Sequence, residues 1–180
     1  MVYNLAAEMT LKIEPISGTN AELLVNDELH IPQDSNWLAR FCEGFQEEFS
    51  AAPKRFSARA NRTYYVVSNR GRREALIGIR FTNTVTANVS SIARLTQKSK
   101  SEQSVCEGWQ YLDVLIENVL QPCGAKHALA SLVTKGSLKA FLDLRRVAEQ
   151  NPKGYRVEIY GERQPYPVAV VTLDTPGRVP

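Results

Sequence analysis

The sequence predicts a mixed α+β domain, a central and mostly antiparallel sheet of about seven strands covered by helices. Short β-branched and aromatic runs alternate along the chain with amphipathic helical stripes, so strands and helices are interleaved. Some neighbouring strands are joined by tight turns rich in Asn and Gly, and these pair antiparallel. Others are separated by a helix, and this mixture of connections implies a sheet with helical layers. A chain of 180 residues is expected to form one domain, 1–180, that buries roughly 70% of its unfolded surface without staples.

Leu11 to Ile16 alternates as an edge strand does, with Pro15 near its end where a missing N–H is tolerated. Gly18 turns the chain into a short helix over 19–29, capped by Thr19 or Asn20 and bounded by Pro32. Asp34 or Ser35 caps a second helix, in which Trp37, Phe41, Phe45 and Phe49 recur every four residues beside Leu38. That stripe is a core face, and Glu43, Glu47 and Glu48 lie mainly off it. After Pro53 a basic loop, KRFSARANR, leads into the strand TYYVVSN. Asn69-Arg70-Gly71-Arg72 turns it back into EALIGIRFT, and a third strand, NVSSIARLT, follows a turn near Thr86 to Asn88.

A polar loop then ends at Ser104 and Glu107, whose S-x-x-E spacing is a capping box. The helix it opens carries Val105, Trp109, Leu112, Leu115, Ile116, Val119 and Leu120 on one face. Pro122 stops it, with Gly124 beyond. HALASLV is the next strand, followed by a half-buried helix over 137–149 bearing Leu138, Phe141, Leu142 and Val147. Two strands, YRVEIY and PVAVVTL, flank a turn from Gly161 to Pro167, and the tail 175–180 is expected to fray.

Hydrophobic content of 43% and charged content of 23% are those of a globular protein and exclude disordered and fibrous classes. Cys42, Cys106 and Cys123 include no C-x-x-C pair, so neither a disulfide framework nor a zinc site is expected. His30 and His127 lack a ligand-like companion at i+3 or i+4, so no metal is expected. A basic leader and a run of about 18 apolar residues are both missing, which points to the cytoplasm and away from membranes. The net charge of +3 hides basic groups: Lys54, Arg55, Arg59 and Arg62; Arg70, Arg72 and Arg73; Lys98 and Lys100. Such groups either attract phosphate-bearing ligands or are solvated surface.

The chemistry concentrates between Ser91 and Val133: a strand, a loop ending Gln103-Ser104-Val105-Cys106-Glu107-Gly108, a helix and a second strand. A helix N-terminus just beyond a strand presents bare amides to a phosphate. This loop and the element order resemble the GCN5-related N-acetyltransferase (GNAT) superfamily, whose loop reads Q/R-x-x-G-x-G/A. Gln103 and Gly108 match it, and Cys106 stands where the first glycine is expected.

The resemblance implies a GNAT-like sheet with helices on both faces and an acetyl-CoA-dependent N-acyltransferase, with acetyl-CoA or another acyl-CoA as co-substrate. Ile92, Ala93, Arg94 and Leu95 would pair with the pantetheine arm. Gln103, Ser104, Val105, Cys106, Glu107 and Gly108 would form the pyrophosphate loop. Ser137 and Ala140 occupy the Asn-x-x-Ala pattern of the following helix, and Leu144 stands where a tyrosine would protonate the leaving thiolate. A deprotonated amine, from a small molecule or a protein, would attack the thioester directly.

An amine that arrives protonated needs a base. Glu43, Glu47, Glu74 and Glu158 are the carboxylates available, and Tyr64 or Tyr65 could supply an acid; Glu43 and Tyr64 are the expected catalytic pair. Cys106 has no legible Cys-His-Asn constellation that would make it a nucleophile. The competing expectation is a non-catalytic module of this fold with a degenerate CoA cleft. It would bind protein or nucleic acid through Arg70, Arg72, Arg73, Lys98 and Lys100, and Cys106, Glu107 and Leu144 motivate it. A homodimer is compatible with either expectation.

Overall fold

The computed structural model describes residues 10–17, 20, 62–95, 106–132 and 135–174. The two helices expected between 19 and 49 (Asn20 apart), the basic loop after Pro53, the loop through Gln103, Ser104 and Val105, and the tail 175–180 lie outside the described residues.

The described elements are β1 (Leu11–Ile16), β2 (Arg62–Asn69), β3 (Arg72–Phe81), β4 (Thr86–Arg94), α1 (Gly108–Leu115), β5 (His127–Ser131), α2 (Lys135–Gln150), β6 (Tyr155–Tyr160) and β7 (Val168–Leu173). They form one seven-stranded sheet of order β1-β2-β3-β4-β5-β7-β6. Every neighbouring pair is antiparallel except β4 and β5, which run parallel because α1 carries the chain back between them.

The β2–β3 turn shows how local sequence writes this order. Arg70 at φ 50 and Gly71 at φ 80 make the two positive-φ positions of a type I′ turn, whose twist matches the flanking strands. Gly71 adopts this freely, whereas a side chain such as that of Arg70 costs about 1 kcal/mol there.

Right-handed crossovers place α1 and α2 on the same face of the sheet. Val67, Ala75, Ile77 and Ile79 from the strands meet Leu112, Leu115, Phe141 and Leu144 from the helices in one core. Each fully buried aliphatic chain there contributes about 1.5–3 kcal/mol. The helices approach closely at their starts: a Cβ on Gly108 would lie 3.0 Å from Ala140 Cβ. The other face carries Tyr64, Val66 and Leu76, all buried.

Three features depart from the sequence expectation. The turn expected near Thr86 to Asn88 comes earlier: Asn83 Oδ1 accepts from the Val85 and Thr86 N–H groups at 2.9 and 2.8 Å, and Thr86 to Asn88 already belong to β4. Helix α1 begins at Gly108 with Glu107 as its cap residue, and Gln110 reaches back, its Oε1 accepting the Glu107 N–H at 2.6 Å. The box therefore uses Glu107 and Gln110 and not Ser104 and Glu107, because a glutamate that is itself the cap cannot also be the third helical residue. Past Leu115 the helix widens over Ile116–Leu120, where Gln121 N–H donates to Ile116 O at 2.9 Å and Ala125 N–H to Leu120 O at 3.0 Å. These five-residue spacings are a π-type turn, which keeps Ile116 and Leu120 both buried while Pro122 ends the ladder.

Candidate active site

Strands β4 and β5 begin side by side and then part. Thr86↔His127, Ala87↔Ala128 and Asn88↔Leu129 are their only pairs among the described residues, although β4 runs on to Arg94 and β5 to Ser131. β5 stays with β7 as far as Ser131↔Val168, so β4 is the strand that leaves. The cause lies in its register with β3. Gly78 faces Ser91 while Ile79 faces Val89, which leaves Ser90 as an extra residue, and such a bulge bends its strand.

Beyond the bulge, the Leu95 N–H donates to Glu74 O at 2.9 Å. Peptide groups alternate sides along a strand, so Leu95 and Ala93 face β3 and those of Ile92 and Arg94 face the gap. Of the four strand residues expected to line a pantetheine arm, two, Ile92 and Arg94, thus turn their backbone donors and acceptors to the gap.

At the mouth of this gap stands the start of α1. Cys106 is 2% exposed and accepts a 3.5 Å hydrogen bond from Asn69 Nδ2, which ties the helix start to the end of β2. Glu107 is exposed, and its carboxylate accepts from Trp109 Nε1 at 2.7 Å, so a negative charge sits at the positive end of the helix. Its own N–H is taken by Gln110, and the amides of Gly108 and Trp109 are left without an acceptor inside the helix. Gly108 has a packing role that sequence could not show: it lets α2 approach, which brings Ser137, in the first turn of α2, to the same end of the sheet.

Glu43, Gln103, Ser104 and Val105 lie outside the described residues, so their placement is not part of this geometry. Tyr64 lies on β2 and is 3% exposed. It pairs with Gly78, which pairs with Ser91, so the row Tyr64–Gly78–Ser91 crosses three strands and ends at the bulge. Leu144, at the position expected for a tyrosine, is fully buried in the core.

Sequence reasoning weighed Glu74 as a base and passed over Asp113, whereas in the structure both fix α1. The buried Glu74 accepts from Tyr111 Oη at 3.3 Å beneath the first turns. Asp113 accepts from Tyr155 Oη at 2.6 Å and from Lys153 Nζ at 2.5 Å at the far end. The only signal for Asp113 was its place among apolar residues on the helix. The bulge did leave a trace, because Val89 and Ile92 are three apart yet both pack into the helical core. Among the described residues no three His, Cys, Asp or Glu side chains gather as a metal site, and no helix is long and apolar enough to cross a membrane.

No family profile matches the chain, and no curated protein matches it. Solved structures do. The N-acetyltransferase PseH of Campylobacter jejuni is similar at 14% identity and TM-score 0.53, over 90% of this chain and 97% of that one. Its complex with acetyl coenzyme A aligns at 16% identity and TM-score 0.52, over 91% and 99%. An aminoglycoside 6′-acetyltransferase type Ii aligns at 10% identity and TM-score 0.54, over 90% and 96%.

Proposed function

We propose that this chain, whose mixed α+β sheet has the fold of the GNAT acetyltransferases, is an acyl-CoA-dependent N-acyltransferase, which transfers an acetyl group to an amine by direct attack in the β4/β5 gap. The observation that carries this reading is the free edge of β4 beyond Asn88, with the start of α1 at its mouth. An extended amide-bearing arm can add to such an edge as a strand would. The similar structures, one of them with acetyl coenzyme A, support the reading.

The residues present fit such a co-substrate. Ile92 and Arg94 offer gap-facing peptide groups to the pantetheine amides, and the Gly108 and Trp109 amides offer donors to the pyrophosphate. Ser137 borders the same mouth. In the reaction the amine nitrogen bonds to the thioester carbon, the oxyanion draws on an amide near the Ser90 bulge, and the carbon–sulfur bond breaks. The amine proton goes to a base, for which Glu43 is the candidate. The thiolate takes a proton from Tyr64, whose row leads to the bulge and which takes over the role the buried Leu144 cannot fill. On this reading residues 1–180 form one cytoplasmic domain, and the acceptor is a small-molecule or protein amine.

Thermal melting with acetyl-CoA tests it first, since any ligand of the native state raises Tm. The expected result is an upward shift at millimolar acetyl-CoA or a longer acyl-CoA, followed by free-thiol release with an amine panel. Absence of any shift across acyl chain lengths rejects it. Glu107 favours one rival, a binding module whose cleft no longer takes CoA, because its carboxylate already lies at the helix start.

A further inference from the structure

Glu107 creates a charge problem at the mouth. The N-terminus of α1 carries roughly half a positive charge, and the adjacent carboxylate outweighs it. A ligand bearing several phosphate charges needs cations from elsewhere.

The β2–β3 hairpin supplies them at the same end of the sheet. Arg72 and Arg73 open β3 directly after the turn, and Arg70 is exposed at its tip. The hairpin is anchored at the mouth twice: Asn69 Nδ2 donates to Cys106 Sγ at 3.5 Å, and Leu95 N–H donates to Glu74 O at 2.9 Å. Gly108 follows Cys106 by two residues, a span of at most ~7 Å. Arg70 also occupies, at φ 50, a turn position where Asn or Gly would be less strained. A strained arginine at a charged rim points to a use for its guanidinium.

We infer that Arg70, Arg72 and Arg73 on the β2–β3 hairpin bind the ribose 3′-phosphate of the acyl-CoA, and so select CoA over its 3′-dephospho form. This rests on the acyl-CoA reading above. A phosphomonoester carries close to two negative charges at neutral pH and accepts several hydrogen bonds, which the planar guanidinium forks match. The arginines offset Glu107 in the process, leaving the helix amides to the pyrophosphate.

The experiment compares CoA with 3′-dephospho-CoA by calorimetry on the full chain, wild type and Arg70→Asn, Arg72→Gln, Arg73→Gln together. Wild type should bind CoA at least ~10-fold tighter, equivalent to about 1.4 kcal/mol. The triple variant should lose that preference while holding 3′-dephospho-CoA to within about two-fold. Arg70→Asn alone guards against a folding defect, since it should raise Tm and still narrow the preference. Equal binding of the two ligands by wild type, or a preference that survives the triple variant, overturns the inference and leaves the acyl-CoA reading standing. Failure of both ligands to bind wild type overturns both readings. Salt-sensitive binding of a single-stranded oligonucleotide without any CoA preference instead assigns the hairpin to nucleic acid.

Discussion

At the end of α1 nearest β6, Asp113 is held by Tyr155 and Lys153, and Gln121 Nε2 donates to the carbonyls of Lys153 and Gly154 at 3.3 and 3.2 Å. Leu173 N–H donates to Lys126 O and Asp174 N–H to Gly154 O, closing the same corner. At the opposite end, β4 has lost β5, two helix amides have no intrahelical acceptor, and a carboxylate sits where an anion would bind. One end spends its polar groups on holding the helix still, and the other leaves two amides without a partner inside the helix. Buried ionic groups are costly unless fully matched, so the locked end is where removal of one partner is felt most.

The largest effect is therefore expected from Asp113→Ala. It strands the Tyr155 hydroxyl, leaves Lys153 with Glu117 as its carboxylate partner at 3.4 Å, and should cost about 3 kcal/mol in chemical denaturation. A cost below about 1 kcal/mol would mean that apolar packing alone fixes α1.

Alkaline pH attacks the same corner more gently. Burial pulls the Lys153 ammonium down from its ordinary 10.5, but the Asp113 hydrogen bond and charge, helped by Glu117, outweigh it and hold it raised. Burial first, and then the Asp113 hydrogen bond, push the Tyr155 hydroxyl well above its ordinary 10.0. Both groups have folded values above their unfolded ones, so their contribution is complete below about pH 10 and is lost as pH climbs through the folded values. Tm should fall steeply above pH 10, and the fall should flatten in Asp113→Ala.

Gly108→Ala tests where the two ends meet. Its Cβ would press on Ala140 and should cost roughly 1–2 kcal/mol through overpacking. Acetyl-CoA binding should weaken in step as α2 is pushed from the mouth. A variant of unchanged stability would show that the helices can separate freely.

The smallest effect belongs to the open end itself. Glu107→Gln removes a charge that favours the helix dipole and should lower stability by about 0.3–1 kcal/mol. The same change should tighten acetyl-CoA binding several-fold, on the order of 3-fold. Opposite signs in the two measurements would separate ligand binding from helix capping, and a loss of both would make Glu107 a structural cap alone.

Much of this architecture was legible because it depends on local pattern. All seven strands were readable as alternating or β-branched runs, the Asn69 to Arg72 turn as a hairpin, and the helix from Gly108 as an apolar stripe. The bulge was legible in principle from Val89 and Ile92, and the described end of the loop pattern, Cys106 to Gly108, lies at the start of α1 beside the end of β2. Asp113 was not legible as a lock, since its partners lie 40 and 42 residues away and no spacing rule connects them. Gly108 read as a phosphate-loop glycine, and only Ala140 beside it showed a packing reason for the missing Cβ.

The sequence by itself determined the elements, their order and the type of connection between them, because hydrophobic period and turn chemistry act over a few residues. The tertiary structure alone decided that β4 leaves β5 after Asn88↔Leu129, that Asn69 meets Cys106, and that the arginine hairpin stands at the mouth of the gap. Those outcomes depend on register across strands and on contacts distant in the chain, which packing settles and local pattern does not.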